Sequence, residues 1–230
     1  MKWQKRDCPI KMEIVAYGSG WEDITLDICG KHHWWSVSGC LGDGFGALVE
    51  SLYALYPNQT YHDVEEHWLS ECDEYVADLD NGHKTNYRPR KENDSAYFSL
   101  PKCAEFYWDL EGRGVNWKIP RGSGFSKDFK LTIEIKEGDE DESSISHYVV
   151  LYSDLCYAVG KALTDVVKKH GFAGFHTSVW ESDVNPRHLC FLKACGMGQP
   201  EALQPFESCE KGVGAISSFS DEIELLMFDM

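Results

Sequence analysis

The sequence predicts an α+β protein, a mostly antiparallel sheet with helices packed on one face. Three observations carry that prediction. Alternating apolar and polar residues recur in hairpin-like pairs over 11–38, 104–119 and 129–152. Apolar residues at helical spacing occupy separate stretches after the first and last of these. The turns between strands are short, so neighbouring strands run antiparallel. At 230 residues, with 43% hydrophobic and 13% aromatic content, the chain can bury a core, and the expectation is a single domain over 1–230.

The first strands lie between residues 11 and 38. Ile24-Thr25-Leu26-Asp27-Ile28 alternates with period two, Gly30-Lys31 offers a two-residue turn, and His32 to Ser38 returns with Trp34, Trp35 and Val37. A helix follows, with Asp43 as N-cap, an apolar stripe of Phe45, Leu48, Val49, Leu52, Tyr53 and Tyr56, and Pro57 as its stop. Val64, Trp68, Cys72, Tyr75, Val76 and Leu79 fit a second helix ended by Asn81-Gly82, and 83–95 reads as a polar loop. Two hairpins come next. Ala104, Phe106, Trp108 and Leu110 pair with Val115, Trp117 and Ile119, and Phe129 to Ile135 pairs with Ile145 to Tyr152 across an acidic tip, Glu137 to Glu142. A long helix starts at Asp154, capped by Ser153 or Asp154, and Gly171 closes it. A shorter helix begins at Pro186 behind an Asn185 cap and ends before Gly196. From Asp221 the pattern fits a helix capped by Ser220 and a strand equally well.

An internal echo runs through this order. Ile24-Thr25-Leu26-Asp27-Ile28 has the pattern of Leu131-Thr132-Ile133-Glu134-Ile135, and each is followed by a return strand and a helix opening with Asp. The register suggests two strand–strand–helix units, 22–57 and 129–171, sharing one antiparallel sheet with both helices on one face.

Charge bounds the function. The chain has 38 acids against 22 Lys and Arg, a formal net charge of -16. That field repels phosphate backbones, so no nucleic-acid partner is expected, and it attracts a basic protein. Met1 to Asp7 leads into no apolar secretory h-region and no apolar run is long enough to span a bilayer, so the expectation is a cytoplasmic chain with no membrane contact. Nine cysteines, odd in number and irregular in spacing, read as reduced thiols.

No local motif specifies chemistry. Gly42-Asp43-Gly44-Phe45-Gly46 lacks the spacing and lysine of a phosphate loop, and Asp43 would repel a phosphate, so it reads as a turn opening a helix. His32 and His33 are adjacent on a strand, point to opposite faces and cannot share a metal. His62 with Glu66, and Asp63 with His67, stand four apart without a matching second segment. Cys190 and Cys195, with His188 nearby, form no redox pair. No metal ligand, cofactor or catalytic residue is assigned. The densest acidic stretch, Glu65, Glu66, Glu71, Asp73, Glu74 and Asp78, is the expected docking face for a basic protein. The resulting expectation is a non-enzymatic binding protein, by compositional analogy an immunity-type inhibitor of a toxin. The alternative is a cysteine- or metal-dependent hydrolase whose site is assembled from dispersed residues.

Overall fold

The protein is described by a computed structural model covering residues 3, 5–17, 21–38, 44–56, 103–110, 113–120, 129–138, 143–178, 184–199, 205–208, 212–215 and 219–230. The chain is α+β. Strands β1 (Lys11–Ala16), β2 (Trp21–Ile28) and β3 (Lys31–Ser38) form an antiparallel sheet in that order, here sheet A. After helix α1 (Gly44–Leu55), strands β4 (Cys103–Asp109), β5 (Gly114–Pro120), β6 (Lys130–Gly138) and β7 (Ser143–Leu151) form antiparallel sheet B. Helices α2 (Tyr152–Ser178) and α3 (Pro186–Gly196) follow, then a small hairpin of β8 (Pro205–Ser208) and β9 (Gly212–Ala215), and helix α4 (Phe219–Met227).

The alternation seen in the sequence is the alternation of burial. Ile24, Leu26 and Ile28 on β2 are buried, as are Leu131, Ile133 and Ile135 on β6. Strands β1 to β7 form two sheets, not the one shared sheet expected. The reason lies on β3, whose inner face is large and aromatic and lies against sheet B face to face. Its contacts step across that sheet: Lys31 reaches Ser146 on β7, His33 meets Tyr148 on β7 and Glu137 on β6, and Trp35 meets Trp117 on β5 and Trp108 on β4. A strand that meets four neighbours in succession runs across them and not alongside any one of them. The helices pack reciprocally on the first strands of the two sheets. The helix following sheet A, α1, packs on the first strand of sheet B, and the helix following sheet B, α2, packs on the first strand of sheet A.

Local signals set most boundaries. The β2–β3 turn is Cys29-Gly30, one residue earlier than expected, because Ile28 pairs with Lys31. Both turn residues have positive φ, 50° and 79°, as a primed two-residue hairpin turn requires. The stripe predicted for α1 is buried throughout. Helix α2 begins at Tyr152, two residues before the predicted start, its first N–H held by Phe129 O at 2.8 Å. Gly171 breaks it with φ 70° where the helix was predicted to close. Helix α3 has the predicted start, with the Asn185 side chain accepting from Arg187 N and Pro186 in the first turn. The ambiguous C-terminal stretch is helical from Phe219. The cap at Asp43 and the helix and loop expected over 58–100 lie outside the described residues.

Candidate functional site

The outer face of sheet A is built from alternate residues of three strands. Cross-strand register places Glu13, Thr25 and Trp34 in one row, Lys11, Asp27 and His32 in the next, and Val15, Asp23 and Ser36 in a third. Trp34 is 58% exposed, Tyr17 58% and Val15 45%. The Tyr17 hydroxyl donates to Asp23 Oδ2 at 2.6 Å, which raises its pKa, and His32 Nδ1 lies 2.7 Å from Asp27 Oδ1. Three carboxylates face one lysine here, so the face is acidic and carries aromatic surface that water wets poorly.

The outer face of sheet B differs. Lys118, Lys130 and Lys136 stand against Glu105 and Glu134. Lys118 is 3.0 Å from Glu105, and His147 is 3.7 Å from Glu134. Among the described side chains here positive charge at least matches negative, whereas the outer face of sheet A carries a net negative charge that attracts a cation.

The inner side of the sheet crossing holds a polar relay. His33 Nδ1 lies 2.5 Å from Glu137 Oε1, and Nε2 lies 2.5 Å from the Tyr148 hydroxyl. A carboxylate only accepts, so Nδ1 carries a proton, and in a neutral ring Nε2 then accepts from Tyr148. Trp35 Nε1 donates to the same Glu137 oxygen at 3.2 Å, and the Trp35 ring stacks on His33. A second imidazole–carboxylate pair joins His188 of α3 to Glu50 of α1, with the His188 ring stacked 3.7 Å from that of Tyr53. Burial pushes the nearby Cys190 thiol up to about 12, so it stays protonated and unreactive at neutral pH.

Several sequence readings find their place in this geometry. His32 and His33 do point to opposite faces, one to the acidic surface and one to the relay. Trp34 and Trp35 divide in the same way. Glu137, expected in an acidic tip, belongs to β6 and faces inward. Gly44, in the glycine-rich stretch, has the Trp108 indole where a Cβ would stand, and its carbonyl accepts from Trp108 Nε1 at 2.9 Å. The carboxylates of the expected docking patch, Glu65, Glu66, Glu71, Asp73, Glu74 and Asp78, lie outside the described residues, as do His62 and His67. Cys8, Cys29, Cys156, Cys190 and Cys195 are free thiols. Among the described residues no cluster of three or more His, Cys, Asp or Glu is placed to hold a metal, and no helix is long and apolar enough to cross a membrane. No family model matches the chain, and neither curated proteins nor solved structures show a significant similarity to it.

Proposed function

We propose that this chain is a binding protein for a cationic protein partner, docked on the outer face of sheet A. The observation that carries the reading is the exposed aromatic and acidic face of Trp34, Tyr17 and Val15 among Glu13, Asp23 and Asp27. An arginine or lysine of a partner gains twice there, from the ring face of Trp34 and from the carboxylates beside it. The net charge of -16 speeds the encounter. Glu65, Glu66, Glu71, Asp73, Glu74 and Asp78 enter the reading through that charge. An immunity-type role against a basic toxin is the finer form of the same proposal.

Binding of fluorescein-labelled deca-arginine, followed by anisotropy at low salt, tests it. Trp34→Ala should weaken binding about fivefold, the order of one cation–π contact. Glu13→Lys should weaken it more than Glu105→Lys, which makes the same charge change on sheet B. Equal effects from both reversals, with Trp34→Ala silent, would mean that net charge alone binds the probe, and the reading would fail.

A second reading is favoured by the Tyr148–His33–Glu137 relay, the connectivity of a hydrolase that assembles its site from dispersed residues. Turnover of p-nitrophenyl acetate that disappears in a folded His33→Gln protein would support it, and turnover equal in both would remove it.

A further inference from the structure

Lys193 is wholly buried on α3, and its Nζ donates to Leu226 O at 3.0 Å and to Phe228 O at 2.6 Å. Lys168 of α2 reaches Phe228 O at 3.2 Å and Asp229 Oδ1 at 2.5 Å. Two amines from two helices thus hold carbonyls at and just beyond the end of α4, where a helix cannot satisfy them by itself. Leu225, Leu226 and Met230 are buried in the same seat, while Ile223 and Met227 face outward.

The charges around Lys193 Nζ come from each element packed against it. Lys168 and Asp165 face it from α2, Cys190 from its own helix, and Asp229 from the C-terminal segment. Asp229 is paired with Lys168, so among the described residues Lys193 has no carboxylate of its own. Its bonding tells the same story. An ammonium has three hydrogens to place and, among the described residues, finds two carbonyls, whereas a neutral amine has two hydrogens and satisfies both.

We propose that α4 with residues 228–230 is a proton-gated latch, which leaves α2 and α3 as Lys193 takes up a proton from solvent and redocks as Lys193 returns it. Release uncovers two cations beside an apolar seat. The device is independent of the cationic-partner reading, since it lies on the helices and uses none of the sheet A residues.

The sign follows from the two states of the amine. Burial first, then the nearby Lys168, lowers docked Lys193 to about 7 from its ordinary 10.5, which the released side chain regains. Docking therefore expels a proton between those values. Its equilibrium constant rises up to about tenfold per pH unit on going up from pH 7, and is level below that. Cys190, pushed up to about 12 from 9.0, adds an opposing slope only above pH 9, so the window to read is pH 7 to 9. Asp229, held low by Lys168, is charged throughout it.

Amide hydrogen exchange of the full chain decides the matter, with rates corrected for intrinsic pH dependence. Protection at Leu225 to Phe228 should rise up to about a hundredfold from pH 7 to 9 and stay below that of Ile133 and Ile135 in the core. In Lys193→Met the slope should vanish, while Lys168→Met should keep one. Flat protection in the natural protein would overturn the latch, even if no variant folds. So would a slope that survives Lys193→Met, or α4 protection equal to the core's at every pH, which would mean that the segment opens only with the whole fold.

Discussion

Glu22 and His33 occupy the inner face of the same three-stranded sheet, at opposite ends, and both are buried. His33 has a carboxylate on one nitrogen, a tyrosine hydroxyl on the other and an indole stacked on its ring. Glu22 lies between Ala16 and Val37 in the strand register, and among the described residues neither of its carboxylate oxygens has a hydrogen-bond partner. The difference comes from what crosses each end. Sheet B brings β6 and β7 over His33, and so supplies polar groups that neutralise the cost of burying an imidazole. Burying polarity is thus cheap at one end of the face and costly at the other, and the same operation, replacing the polar group with an apolar one, should have opposite signs.

The larger effect is expected at the partnered end. His33→Leu strands the buried Tyr148 hydroxyl and leaves Glu137 with Trp35 alone, at a cost of about 3 kcal/mol. Tyr148→Phe should cost about 1 kcal/mol, and the double variant should lose less than the sum, because the second change removes the group that the first one strands. Urea unfolding of the three proteins measures this. Additive losses would mean that the relay is three separate contacts, and the comparison with Glu22 would then lose its basis.

At the unpartnered end the sign reverses and depends on pH. Burial alone raises Glu22 from 4.5 to about 7. Below about pH 4.5 both folded and unfolded chains hold the proton and burial carries no ionic penalty. Between there and 7 the unfolded chain ionises first, so stability falls as the pH rises. Above 7 both are ionised and the deficit is constant. Glu22→Met should therefore stabilise the protein by roughly 2 kcal/mol at pH 8, and by little more than its own packing gain at pH 4. Denaturation midpoints at the two pH values check it. A variant less stable than the natural protein at pH 8 would mean that the carboxylate has a partner after all.

How much of this was legible in the sequence follows from the range of the interactions. Alternation on β2, β3, β5 and β6, the stripe on α1, the Asn185 cap and the stop at Gly171 are written within a few residues, and sequence reading located them. The two four-residue strands β8 and β9 are too short to show a period, and they went unread. Trp34 reads in the sequence as a residue suited to a strand, and only the three-strand register shows which carboxylates share its face. The relay spans 104 and 115 positions, and no local pattern signals that Glu137 extends β6 and turns inward. Lys193 did leave a trace. It interrupts the apolar run Leu189 to Cys195, where a cation on the buried side asks for an acceptor, but the carbonyls that answer lie over thirty residues away. Two separate sheets, where one was expected, are likewise a consequence of side-chain bulk on β3 and not of any strand's own pattern.

The smallest predicted effect lies at the turn next to the partnered end. Cys29 holds φ 50°, a conformation that costs an ordinary side chain on the order of 1 kcal/mol and that asparagine tolerates better. Cys29→Asn should raise stability by about 0.5 kcal/mol, because it relaxes the backbone without touching the core. The test belongs in two backgrounds. If the turn only closes the hairpin, the gain in the natural protein and in His33→Leu will agree, as independent sites do. A gain confined to the natural protein would mean that the strained turn holds β3 in register for the relay. The strength of the partnered end would then originate partly in the two residues that join its strands.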